Sequence, residues 1–179
     1  YNTVFNGVGN GEGTNVLGST RAQGIFLDVY PSGFQIFNNT VANVGYAGMF
    51  LQFPHDIGIQ NNTMYNTAIA LLVKSDASTY IRNLTIQNNI FFGKDLTQMS
   101  LKVITAYNDI SSFGSIDNNY YARPMDDNIV INALPNGEGV TDNYYNLAGW
   151  QTSSGVDGHS KKSPKTITTT NDLSFGYNE

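Results

Sequence analysis

The sequence predicts an all-β fold, a right-handed parallel β-helix solenoid of about five coils with a C-terminal covering segment. An Ile-x-Asn-Asn motif begins at residues 36, 59, 86 and 116, and a weaker fifth copy occupies residues 141–145. The Asn pairs are 23, 27 and 30 residues apart, a period typical of solenoids. Asn and Gly supply 23 and 18 of the 179 residues, and both favour turns over helices.

A second repeat supplies the first strand of each predicted coil. A mostly small residue precedes alternating apolar residues in segments 24–29, 48–53, 68–73, 100–105 and 128–133. Alternation places one apolar set inside the coil. That set is Ile25, Leu27, Val29, Met49, Leu51, Phe53, Ile69, Leu71, Val73, Leu101, Val103, Ile129 and Ile131. A leucine-rich repeat is the other class at this period, but its regular Leu spacing and its helical half are missing.

The Asn pairs predict corners between the second and the third strand of each coil. One Asn of a pair can adopt the left-handed backbone of a turn. The other can point inward and join an asparagine ladder, in which each amide bonds the next coil. Asn38, Asn61 and Asn83 also fit a glycosylation sequon. We favour the ladder, because glycans on corner asparagines would break it.

The predicted coils span residues 1–146 and begin in the middle of a coil. Residues 1–9 match the second half of the repeat, as it occurs at residues 39–45. Each coil of a solenoid buries its apolar face only against its neighbours. We therefore expect a further N-terminal segment or a partner chain to cover the first coil.

Residues 147–179 are predicted to be a capping segment with a polar tail. A short helix would lay Leu147 and Trp150 over the last coil. Asp157 and His159 are expected to fix this segment to the coil. The tail carries a late aromatic cluster, Phe175 and Tyr177.

Composition excludes several classes of function. Charged residues are only 13% of the chain and the net charge is −5, which argues against a nucleic-acid partner. Cysteine is absent, so there is neither a disulfide framework nor a Cys-built metal site. No segment reaches the 18 or so consecutive apolar residues of a membrane span.

With both repeats in place, the chain resembles the right-handed parallel β-helix proteins, a carbohydrate-active superfamily that includes pectate-lyase-like enzymes. Residues 150–160 are similar to the terminal segment that follows the last coil in many bacterial members. The resemblance implies a secreted or cell-surface bacterial protein with polysaccharide as its partner. It implies lyase or glycoside hydrolase chemistry, or, because adhesins share the fold, a non-catalytic carbohydrate-binding or structural module. Lyases of this fold use a Lys or Arg base beside acidic residues, so a Ca²⁺ cofactor stays open.

Site candidates are the outward and corner residues of the coils. Catalytic candidates of the right type for acid–base chemistry on an acidic sugar are Asp28, His55, Asp56, Lys74 and Arg82. His55 and Asp56 are expected between Tyr30 below and Lys74 above. The alternative is that these are ordinary surface groups at exposed corners.

Substrate-binding candidates are Phe26, Tyr30 and Phe50. One outward row is predicted to read Phe26, Phe50, Ala70, Lys102 and Val130. Phe26 and Phe50 would then stack on the outside, as a sugar platform or beneath a cover. We favour a cover, by the loop of residues 10–23 or by a partner.

Overall fold

The computed structural model describes residues 1–9, 21–164 and 169–170. They form a β-solenoid of about 4 turns. The strands are β1 (Thr3–Phe5), β2 (Gln23–Leu27), β3 (Gln35–Phe37), β4 (Thr40–Gln52), β5 (Gly58–Gln60), β6 (Thr63–Lys74), β7 (Leu84–Gln87), β8 (Ile90–Phe92), β9 (Met99–Ile104), β10 (Gly114–Asp117), β11 (Tyr120–Ala122), β12 (Ile131–Leu134), β13 (Asn143–Tyr145) and β14 (Lys161–Lys162). One 3₁₀ turn (Ile110–Ser112) and one helix, α1 (Leu147–Ser154), complete the described elements.

Parallel pairing stacks the strands into three sides. Side 1 contains β2, β9, β12 and the second halves of β4 and β6. Side 2 contains β3, β5, β7 and β10. Side 3 contains β1, β8, β11, β14 and the first halves of β4 and β6. The corner between sides 1 and 2 carries loops of different length, where a solenoid accommodates insertions.

The predicted outward row of side 1 is wrong by two residues in two coils. Phe50 pairs with Leu72, and Leu72 with Lys102. Asn132 continues the row beside Lys102. The row therefore reads Phe26, Phe50, Leu72, Lys102 and Asn132.

A bend at the start of side 1 explains this error. Ala70 and Leu71 both belong to the main core, although they are consecutive, and the same holds for Val130 and Ile131. Strict alternation fails there, because two successive side chains point inward. Ile69, predicted inside, instead packs in a separate apolar cluster. Ile129, also predicted inside, is 45% exposed.

The asparagine ladder is confirmed. Its rungs Asn39, Asn62, Asn89 and Asn119 are buried. The amide oxygen of each later rung accepts the backbone N–H and the Nδ2 of the rung before it, at 2.9 to 3.1 Å. The preceding residue of each pair has a left-handed backbone, with φ of 56 to 57°. A second ladder, absent from the sequence prediction, joins Asn6, Asn43, Asn66 and Gln98 at the corner between sides 3 and 1.

The fifth coil does not form, because the chain turns back after β12. Gly137 and Gly139 adopt positive φ in the loop that follows. β13 then pairs antiparallel with β12, so the expected fifth copy at residues 141–145 instead contains a hairpin strand at Asn143–Tyr145. This reversal accounts for about 4 turns instead of five.

The C-terminal segment covers the last coil, as expected. The helix α1 begins at the cap residue Asn146, whose side chain accepts the Gly149 N–H. It places Leu147 and Trp150 in the core. His159 contacts Asp117 through its backbone N–H and its Nδ1, at 2.7 and 2.6 Å. These contacts confirm that the segment anchors to the last coil.

Asp157 and Ser160 together take the place of the next rung, because Ser160 Oγ accepts the Asn119 backbone N–H at 2.8 Å and Asp157 accepts the Asn119 Nδ2. The Asp157 carboxylate, 1% exposed, accepts Asn119 Nδ2 at 3.2 Å, Tyr121 Oη at 2.8 Å, Trp150 Nε1 at 2.7 Å and Ser160 Oγ at 2.5 Å. Burial, and then the charge of Asp157, raise the pKa of Tyr121 well above its usual 10.0, so the hydroxyl stays a donor. The ladder thus ends in the Ser160 hydroxyl and the Asp157 carboxylate, and four donors surround that carboxylate.

At the opposite end of the solenoid, β1, β2 and β3 each pair with one described strand, β4 for the first two and β5 for the third. A depression of about 580 Å³ there is lined by residues that include Tyr1, Val4, Ile25, Ile36 and Phe37. The covering segment or partner chain stays a prediction. The expected loop of residues 10–23 and the cluster of Phe175 and Tyr177 lie largely or wholly outside the described residues.

Candidate functional site

Loops at the corner between sides 1 and 2 bring several predicted site residues together. We call this the corner surface. It comprises Tyr30, Phe53, His55, Asp56, Tyr80, Arg82, Asn83, Tyr107 and Asp109.

A polar strip runs along the corner surface over successive coils. His55 pairs with Ser32 on one side and with Arg82 on the other. The sequence instead placed Tyr30 and Lys74 beside His55. That expected register is wrong, since Lys74 pairs with Gln52 in the strand before the corner. His55 Nδ1 lies 2.8 Å from Asp56 Oδ2, and Asn83 Nδ2 donates to Asp56 Oδ1 at 2.8 Å.

Arg82 is held by a carboxylate that the sequence did not single out. Its Nη1 donates to Asp109 Oδ2 at 2.6 Å, and Thr105 Oγ1 donates to the other oxygen of Asp109. The guanidinium also lies 4.7 Å from the centre of the Tyr80 ring, a cation–π contact. Only the position of residues 106–113 in the next corner loop could have suggested Asp109.

Asp56 is an ionised carboxylate at neutral pH. The hydrogen bond from His55, and then that from Asn83, lower the pKa of Asp56 below its usual 3.8. A general acid for glycoside hydrolysis needs the opposite shift, a raised pKa that keeps its proton. Asp56 therefore suits the roles of base, ligand or acceptor.

We expect His55→Ala to raise the pKa of Asp56 back toward 3.8, since the largest lowering interaction is lost. Asn83→Ala should raise it less, because its hydrogen bond is the smaller cause. NMR titration of the side-chain carboxyl carbons measures both shifts. Asp76, whose pKa is lowered by Ser78, is the internal control and should not move. An unchanged Asp56 in His55→Ala would contradict the observed pairing.

Two stacked aromatic pairs flank the loop of residues 75–79. Tyr30 stacks on Phe53 with ring centres 5.1 Å apart, and Tyr80 stacks on Tyr107 at 4.1 Å. Tyr30 Oη lies 3.1 Å from Ser78 Oγ, while Tyr107 Oη donates to the Ala77 carbonyl at 2.5 Å. These bonds hold the rings in place. Tyr30 and Tyr80 are nevertheless 50% and 51% exposed.

The remaining catalytic candidates do not join this strip. Lys74 Nζ pairs with Glu138 Oε2 at 3.0 Å. Asp28 is exposed directly after β2, and within the described residues it makes no hydrogen bond or ion pair with the other four candidates. The predicted five-residue cluster thus separates into His55, Asp56 and Arg82, with Lys74 and Asp28 apart.

Phe26 and Phe50 stack on the outside of side 1, as predicted. Their ring centres are 4.9 Å apart, and the rings are 16° from parallel. Phe26 is 42% exposed, while the next residue of the row, Leu72, is buried. That a loop or a partner covers these rings, and that sugars do not stack on them, stays a prediction, because most of the expected covering loop is outside the described residues.

A metal site was left open by the sequence. Within residues 1–9, 21–164 and 169–170, no three His, Asp or Glu side chains gather in a way that could hold a metal ion. The described carboxylates of the corner surface are engaged with Arg82, Asn83 and His55 instead. None of the helices in the described residues has the length and apolar character needed to cross a membrane.

The chain was compared with family models, curated proteins and solved structures, and none of them matches it.

Proposed function

We propose that this chain is a carbohydrate-binding β-helix module of a secreted or cell-surface bacterial protein, and that the corner surface binds polysaccharide. The observation that carries the proposal is the pair of aromatic stacks beside a strip of charged and amide side chains. Exposed rings offer flat apolar faces for the C–H faces of sugars. The polar strip offers donors and acceptors for their hydroxyls.

Binding fits these residues better than catalysis does. A lyase needs a basic side chain free to take a proton, yet Arg82 and Lys74 are each paired with a carboxylate. A glycoside hydrolase needs a protonated acid, yet Asp56 has a lowered pKa. The same pairing suits recognition, because side chains fixed in advance lose little entropy on binding.

Lyase or hydrolase action on polysaccharide remains the second candidate, and one observation favours it. His55 and Asp56 form an exposed imidazole–carboxylate pair, the arrangement that orients a His for proton transfer. Arg82 lies in the adjacent coil and could hold the carboxylate of an acidic sugar.

Affinity electrophoresis against acidic and neutral polysaccharides tests the proposal. We expect retarded migration of the protein, and about tenfold weaker binding for Tyr80→Ala, which removes a stacking ring and the support of Arg82. Phe37→Ala removes a ring of similar exposure, 49%, at the end of β3 on side 2, and should bind as the unmodified protein does.

The same samples separate the two candidates. Binding without new reducing ends or unsaturated sugar products supports a non-catalytic module. Product formation that His55→Ala abolishes would establish the enzyme instead. Binding that survives Tyr80→Ala unchanged, or no binding to any polysaccharide, would exclude the corner surface.

A further inference from the structure

A second depression, of about 420 Å³, lies at the corner between sides 3 and 1, away from the corner surface. Leu96, Met99, Ile129 and Tyr144 form much of its wall. Leu96, Ile129 and Tyr144 are 50%, 45% and 49% exposed, so large apolar groups face solvent together here. Such clusters on a protein surface commonly mark binding sites.

Arg123 supplies the polar group of this depression and is only 3% exposed. Its Nη1 donates to the carbonyls of Leu96 and Gln98, at 2.8 and 2.9 Å, and its Nε donates to the carbonyl of Asp126. These bonds use three of the five guanidinium N–H donors. Within the described residues, Nη2 has no hydrogen-bond partner, and its two N–H groups remain for a ligand.

The charges around Arg123 select the kind of ligand. Asp126, Asp127 and Asp95 all act on the guanidinium electrostatically. Lys162 pairs with Asp127, so among the described residues four carboxylates, those of Asp95, Asp126, Asp127 and Asp142, surround the two cations Arg123 and Lys162. The resulting net negative field repels a carboxylate or phosphate ligand. A neutral oxygen, such as a hydroxyl, accepts from Nη2 without that repulsion.

The exposed ring of Tyr144 favours a ligand with a flat apolar face. Tyr144 lies on the edge strand β13, and its Oη donates to Asp142 Oδ2 at 3.2 Å. That bond fixes the ring, which remains half exposed beside Ile129 and Leu96. A ligand with a flat apolar face and a hydroxyl edge would contact both the ring and Arg123.

We propose that this depression binds one residue of a neutral saccharide, with Tyr144 stacked against its apolar face and Arg123 Nη2 donating to a hydroxyl. The site is separate from the corner surface, where Arg82 carries the positive charge. The proposal does not depend on polysaccharide binding there.

Amide NMR titration with neutral hexasaccharides of glucose, xylose and mannose tests this site. We expect shifts at Leu96, Ile129 and Tyr144, and none there with an oligogalacturonate. Tyr144→Ala should weaken binding about tenfold, and Tyr144→Phe, which keeps the ring, should weaken it less than threefold. Tyr80→Ala, in the corner surface, is the matched control and should leave these shifts unchanged.

Folding is checked in each variant by the fluorescence of Trp150, the only tryptophan of the chain. The proposal is overturned if no neutral hexasaccharide shifts these signals, or if the oligogalacturonate shifts them equally. Equal affinity of Tyr144→Ala and the unmodified protein would also overturn it. If no saccharide binds beside Tyr144 but polysaccharide still binds at Tyr30 and Tyr80, the proposed function is supported and only the second site is excluded.

Discussion

Replacing Asp157 with asparagine is expected to lower the free energy of unfolding by about 3 kcal/mol, and Asp157→Ala by about 4 kcal/mol. Asp157 has four hydrogen-bond donors around its buried carboxylate. Asparagine keeps one oxygen but turns an NH₂ donor toward those donors. Alanine leaves all four without an acceptor. It also adds strain, because residue 157 has φ of 62°, which asparagine tolerates better than alanine does.

Urea unfolding followed by far-UV circular dichroism measures these losses. Asp76→Ala is the control, because Asp76 is exposed and its side chain accepts from Ser78 within a local turn. We expect that control to cost less than about 1 kcal/mol. If Asp157→Asn lost no more unfolding free energy than the control, the Asp157 carboxylate would not be what stabilises the end of the ladder.

Periodicity predicted those features of the fold that local rules decide. An Asn pair has one residue that tolerates left-handed backbone and one whose amide can both donate and accept, so the corner and the ladder follow from the pair itself. None of these predictions needed the register between distant coils.

Register across the bends could not be read in this way. The choice between Ala70 and Leu72 beside Phe50 depends on how the chain turns at the start of side 1. The alternation of inward and outward residues cannot predict that turn, because it assumes a straight strand. Likewise Asn143 and its neighbours repeat the motif closely enough to suggest a coil. Two glycines with positive φ in the preceding loop nevertheless reverse the chain.

The candidate site was predictable only where its members are close in sequence. His55 and Asp56 are adjacent residues and bond each other. The partners of Arg82 and Lys74, Asp109 and Glu138, come from corner loops 27 and 64 residues further along. Ion pairs between loops of unequal length cannot be predicted from the repeat, since the repeat aligns the strands and not the residues between them. Both proposed binding surfaces lie at such corners, supported by the regular strands beneath.

The two asparagines of one pair should respond to mutation in opposite ways. We expect Asn89→Ala to destabilise the protein by about 4 kcal/mol, because the Asn89 side chain makes four hydrogen bonds within the core. It accepts twice from Asn62 and donates to Asn119 and to the Ile59 carbonyl, so its loss leaves polar groups unpaired in two neighbouring coils. Asn88→Gly should change stability by less than about 1 kcal/mol, since Asn88 is exposed with φ of 56°, a conformation that glycine adopts freely. Urea unfolding of the two variants in parallel measures the contrast, and amide exchange at Asn62, whose backbone N–H loses its acceptor in Asn89→Ala, locates it. Equal losses at both positions would show that turn geometry, and not the buried ladder, holds the coils together.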